Sequence, residues 1–314
     1  MNTNNPGNST KQFALFNLGF RPFFLGAGAF AIVSIAFWAV IYLFRFTLPL
    51  VNITPSQWHA HEMIYGYSLA VIAGFLLTAV KNWTGIPTLG RQGLIILFSC
   101  WLAVRLLWLT GSSWLIITAI LDTLFCVILL ITISVPVIKK RQWVQIAIIS
   151  KVMLLMVFNG LFYLGAFNLL QQGIFWGLMG GLYLVVGLIL TMGRRVVPFF
   201  IEKGVAYRVT LPNSKWLDIS SMLLFVGFFI SELFLSSPGW SSAFSLGVFL
   251  VNAIRLLGWH TPGIWGKPLR WGLYLALWLI CLGFLMFALD SYIDISRYLP
   301  LHALAFGGIG LVTM

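Results

Sequence analysis

Residues 54–85 read TPSQWHAHEMIYGYSLAVIAGFLLTAVKNWTG, and they decide the class of fold. Thr54 is an N-cap residue, Pro55 suits a first helical position, and Gln57 stands where a reciprocal cap is expected, so a helix starts here. Its first turns hold His59, His61 and Glu62, while nearly everything from Met63 to Val80 is apolar. Polar, ligand-type side chains thus stand at the mouth of a span long enough to cross a bilayer.

Composition extends that reading to the whole chain. Hydrophobic residues make up 60% and charged residues 8%, with a mean hydropathy of +0.98. A soluble domain needs about 25% charged residues to cover its surface, which excludes one here. The net charge of +12 is not a nucleic-acid footprint, because the basic residues lie between apolar runs instead of forming one patch. Cys100, Cys126 and Cys281 lie within apolar runs and without CxxC spacing, so neither a thiolate zinc site nor a disulfide framework is supported. No phosphate-binding loop, dinucleotide fingerprint, HExxH or serine elbow is present.

The fold expected is all-α, a polytopic transmembrane helical bundle of about ten spans. The spans fall near residues 22–44, 55–80, 92–110, 114–138, 143–168, 172–192, 216–236, 240–258, 269–289 and 299–314. Residues 1–20 read as a disordered cytoplasmic tail and 21–314 as one transmembrane domain that stops inside a helix, with no repeat at a fixed period. All Lys and Arg except Arg45, Arg105 and Arg297 fall on one side if the N-terminus is cytoplasmic. The positive-inside rule then puts His59, His61 and His302 at the outer face and His260 at the inner one.

On an α-helix His59 and His61 point to opposite faces, about 200° apart, and Glu62 falls one turn from His59, within reach of its ring. His302 opens the last span from the same side. Neutral imidazoles on facing helices suit an axial haem iron, and imidazole also suits copper; the alternative is a set of interfacial histidines at helix ends. Arg105 and Asp122 lie inside consecutive antiparallel spans. A lone charge there costs about 2.5–3.5 kcal/mol, so the two either form a structural ion pair or serve a buried anion such as a haem propionate. Met153 with Met156, Lys151, Asn159, His260, Gly177 with Gly181, and Asp290 with Asp294 have packing, loop or solvated readings that outweigh functional ones.

Five stretches together resemble the NnrS family of bacterial membrane proteins: GFRPFFLGA at 19–27, WHAHEMIYGYSLAVIAGFLLTAVKNWTG at 58–85, WLAVRLLW at 101–108, MGRRVVPFF at 192–200 and LHALAFGGIG at 301–310. The resemblance implies a haem- and copper-containing protein of the bacterial cytoplasmic membrane, tied to nitric oxide metabolism and nitrosative-stress resistance. Nitric oxide or nitrosyl-iron species are the partners it implies. The family's WHxHE falls on Trp58, His59, His61 and Glu62, its membrane arginine on Arg105 and its late histidine on His302. It implies His59, His61, His302 and Arg105 for cofactor binding, and His59, His61, Glu62 and His302 for metal. Family members commonly have about twelve spans, and PLRWGLY places Tyr274 where a family histidine is sought. The competing expectation is a small-solute or metal transporter or channel with an outward-facing histidine site, to which the glycine-rich 307–310 segment contributes a possible helix break.

Overall fold

The computed structural model describes residues 14–235, 238–290, 292–293 and 295–313. Among the described residues, nine helices are long and apolar enough to cross a membrane: α1 Phe20–Phe44, α2 Pro55–Thr84, α3 Arg91–Trp108, α4 Gly111–Lys139, α5 Trp143–Ala166, α6 Gly173–Gly204, α7 Lys215–Leu235, α8 Gly239–Trp259 and α9 Pro268–Leu289. A shorter apolar helix, α10 Tyr298–Leu311, follows. No strand occurs among the described residues. The protein is a multi-pass helical membrane protein. Its outward faces carry Ile32, Phe44, Ile116 and Leu223, while His61, Glu62, Arg105 and Asp122 are buried. That inversion of the soluble pattern is what hydrocarbon solvent imposes.

One boundary differs from the sequence reading. The sixth span continues past residue 192 to Gly204. Arg194 and Arg195 read as the start of a loop, but arginine is a good helix former, and Pro198 is accommodated inside the helix. With 32 residues, α6 is ~48 Å long against a ~30 Å hydrocarbon core, so its basic end extends beyond the apolar layer. Residues 1–13 of the expected tail, and Asp294, lie outside the described residues.

Contacts divide the chain into two compact units, residues 1–149 and 150–314. In the first, α2 is the most buried span, packed against α1 and α4, with α3 and α4 forming an antiparallel hairpin. In the second, α6 is the most buried, touching α7, α9 and α10, while α7, α8, α9 and α10 pack each on the next.

Each unit contains a helix of the same local design. α2 opens with seven α-helical residues, Pro55–His61, followed by seven in the wider π winding, Glu62–Ser68. α10 opens with seven, Tyr298–Leu304, followed by seven π residues, Ala305–Leu311. His61, Tyr65 and Gly66 in one match His302, Phe306 and Gly307 in the other at identical spacing. A Cβ on Gly66 would lie 2.8 Å from the Phe30 ring of α1, and one on Gly307 would lie 2.4 Å from Leu279 of α9. In both, the glycine lets the wide turn lie against the preceding span. The likeness covers two helix openings and has no fixed period, so it does not stand out as a repeat in the sequence.

Glycine also sets the α5–α6 hairpin. A Cβ at Gly177 would stand 2.5 Å from Phe162 Cβ and 2.7 Å from its Cα, so α6 meets the α5 backbone directly there. A Cβ at Gly160 would meet nothing within 4 Å. Gly177→Ala is therefore expected to destabilise the detergent-solubilised protein by about 1–3 kcal/mol through overpacking. Gly160→Ala should leave the melting temperature unchanged or raise it slightly, since it only removes a helix glycine. Equal melting of the two variants would contradict this packing.

Candidate functional site

The site is built on the opening of α2. Thr54 N–H donates to Gln57 Oε1 at 2.8 Å and Gln57 N–H to Thr54 Oγ1 at 3.2 Å, a complete capping box that fixes where the helix starts. The π winding then begins at Glu62. Ser68 Oγ donates to the Met63 carbonyl at 2.6 Å, and the Leu69 N–H reaches the Ile64 carbonyl, each bond running five residues back. Single π turns within α-helices recur at functional sites. Within this one the Gly66 carbonyl accepts Trp101 Nε1–H of α3 at 2.9 Å.

Gly66 is also the gap through which α3 delivers a charge. A Cβ there would lie 2.6 Å from Arg105 Nη1. Arg105 Nη1 donates to Glu62 Oε1 at 2.8 Å, and its Nη2 donates to Asp122 Oδ1 of α4 at 3.2 Å. His61 completes the group, with Nδ1 3.0 Å from Glu62 Oε1 and Nε2 3.8 Å from Asp122 Oδ2. All four side chains are buried, His61 and Asp122 at 0% exposure. Tyr65 and Trp108 close over the imidazole, with ring centroids 5.0 and 5.3 Å from it. One guanidinium faces two carboxylates here, and removing it would leave both without their shared counter-charge in an apolar interior. Glu62 Oε2 is buried without a hydrogen-bond partner among the described residues.

Glu62 therefore meets His61, not His59 as the regular helical wheel places it. The cause is Arg105: it enters beside Gly66, one turn after Glu62, and draws the glutamate toward the His61 side. His59 is half-buried and stacked on Trp38 of α1, with centroids 4.6 Å apart and planes 14° apart. His302, in the second unit, is exposed, and its Nδ1 lies 2.7 Å from the Tyr298 carbonyl. His260 accepts a long 3.4 Å bond from Trp265 Nε1 in its loop. Asp290 caps the end of α9. Among the described residues, no three His, Cys, Asp or Glu side chains are grouped to hold a metal ion.

Two polar clusters of the second unit escaped the sequence reading. Glu232, in the π turn Ser231–Leu235 of α7, accepts from Arg297, Ser241 and, at 3.2 Å, Tyr183. Burial works against the Arg297 charge, but Glu232 outweighs it and holds that guanidinium above its ordinary range. Asp218 of α7 accepts from both Arg194 and Arg255. Acidic residues inside an apolar span were the available signal, since Asp218 and Glu232 are the two acidic residues of α7.

Removing the guanidinium alone should be severe, because it strands two carboxylates in an apolar interior. Arg105→Met is expected to cost about 3–5 kcal/mol, read as loss of the monodisperse peak or a sharp fall in melting temperature. Adding Glu62→Gln should restore part of that loss, the signature of coupled groups. Additive losses in the double variant would mean that the two side chains do not interact.

Comparison with known proteins agrees with this part of the chain. A family model described as NnrS protein matches residues 14–314. No curated protein and no solved structure matches the chain. The match takes in the capped helix, the buried His61–Glu62–Arg105–Asp122 cluster and the second unit alike, and the chain belongs to the NnrS family of nitric-oxide-related membrane proteins.

Proposed function

We propose that this protein is a haem- and copper-containing component of the bacterial cytoplasmic membrane, N-terminus inside, that binds or processes nitric oxide or nitrosyl-iron species in defence against nitrosative stress. Family membership supports the nitric oxide link. The fold supports the setting, since nitric oxide dissolves in hydrocarbon and reaches an intramembrane site without an aqueous funnel.

The observation that carries a haem ligand is at His302. A carbonyl oxygen only accepts, so the 2.7 Å contact with Tyr298 makes Nδ1 the protonated nitrogen. That leaves the Nε2 lone pair on an exposed ring, which is the tautomer and accessibility an axial imidazole needs. Haem bound there would supply ferrous iron, to which nitric oxide binds. His61 fits this role poorly, because both its nitrogens face carboxylates in a sealed cluster. Arg105 fits poorly as a propionate partner for the same reason, with both Nη groups already engaged. Copper has no assembled donor set among the described residues; His59, stacked on Trp38, is the imidazole left for it, and no chemical step is derived through copper.

The competing transporter reading looked to a broken helix at 307–310. That segment is wound continuously as the π turn Ala305–Leu311, so no specific observation favours it.

The test is a reduced-minus-oxidised spectrum of purified protein before and after nitric oxide, beside iron and copper analysis. The parent should give a Soret band that shifts with nitric oxide. His302→Ala should lose most of that band, whereas Tyr298→Phe, which keeps the carbonyl, should retain it. Colourless parent protein, or full haem content in His302→Ala, would defeat the assignment.

A further inference from the structure

We propose that the second unit carries an oxyanion-binding site, of the kind that takes a phosphate group, where α6, α7 and α8 meet around Arg194, Asp218 and Arg255. Two guanidinium groups share a single carboxylate there: Arg255 Nη2 donates to Asp218 Oδ1 at 2.9 Å, and Arg194 Nη1 donates to the other oxygen. The three groups sum to one positive charge. Lys151 and Arg195 add like charge within electrostatic reach of Arg194.

The arginines are held differently, and the difference suits a ligand. Arg255 is 7% exposed and locked in place. Its Nη1 donates to Asn252 Oδ1 at 2.9 Å, Asn252 Nδ2 donates to Ser221 Oγ at 2.9 Å and to the Val248 carbonyl at 2.8 Å, and the Arg255 guanidinium lies 5.9 Å from the centroid of the Trp259 ring. Arg194 has a side chain 31% exposed and, among the described residues, bonds to Asp218 through Nη1, which leaves donors of its five-donor fork for an incoming group.

Space lies where the excess charge lies. A small, partly open cleft is lined by Thr191, Arg194, Asp218, Ser221 and Arg255. A neighbouring small cleft shares Leu190, Arg194 and Arg255 with it. Asp218 and Arg255 lie within about 6 Å of the ends of α7 and α8, at the end of the bundle whose loops carry Arg208 and Lys267. That is headgroup depth, where basic pockets between spans take lipid phosphates. A free phosphate-type anion has the same recognition chemistry, and experiment separates the two sources.

Detergent-purified protein is melted during titration with phosphatidylglycerol, phosphatidylcholine or inorganic phosphate, for the parent, Arg194→Gln and a control in the first unit, Lys139→Gln. The parent and control should be stabilised by phosphatidylglycerol beyond phosphatidylcholine, and Arg194→Gln should respond with roughly tenfold weaker apparent affinity. Should Arg194→Gln not fold, Arg194→Lys substitutes for it, retaining the charge and losing the fork, with a smaller loss in the same direction. A response to phosphatidylglycerol alone identifies a lipid headgroup, and a response to inorganic phosphate as well identifies a free anion; both support the site. Equal responses to the two lipids without a phosphate effect, or an Arg194→Gln titration matching the parent, would overturn it.

Discussion

A single guanidinium buried in an apolar bundle constrains everything around it. Arg105 cannot be hydrated where it lies, and a carboxylate within hydrogen-bond reach is what makes its position tolerable. Three spans must supply the partners: α2 contributes Glu62 and His61, α3 contributes Arg105 itself, and α4 contributes Asp122. Charge thus becomes a positioning device. Apolar side chains slide against lipid or each other at little cost, whereas this cluster has one arrangement in which its charges are matched.

The π turn in α2 serves that arrangement. Its glycine admits the arginine, the Gly66 carbonyl accepts the Trp101 indole N–H, and Ser68 covers the Met63 carbonyl. The same pairing of a seven-residue α opening with a π turn recurs in α10, where His302 stands at the same spacing from Phe306 and Gly307 as His61 does from Tyr65 and Gly66, though two residues earlier relative to the π turn. Their surroundings differ: His61 is enclosed by carboxylates and aromatic rings, while His302 is exposed and tied to its own helix through Tyr298. One local design yields a buried imidazole in one unit and an exposed one in the other.

Much of this was legible from the residues alone. Hydropathy marked every span, Thr54-Pro-x-Gln marked the start of α2, and the insertion cost of a lone charge pointed Arg105 and Asp122 toward each other. What the sequence hid was helical phase. A regular α wheel separates Glu62 from His61, and only the approach of Arg105 beside Gly66 reveals why they meet. The Asp218 cluster was hidden for a related reason: Arg194 read as a loop residue, and its partner Arg255 lies 37 residues from Asp218 on another helix. Packing between elements, which no single-sequence pattern encodes, decides both.

The central claim is that one guanidinium bridges two carboxylates from different spans inside the membrane. The most direct test is a solid-state NMR dipolar-coupling measurement in lipid bilayers, with nitrogen-labelled arginine and carbon-labelled carboxyl groups, comparing the parent with Arg105→Lys to assign the signal. The account predicts that the Arg105 guanidinium couples strongly to both the Glu62 and Asp122 carboxyl carbons. Coupling to only one of them, or to neither, would contradict it.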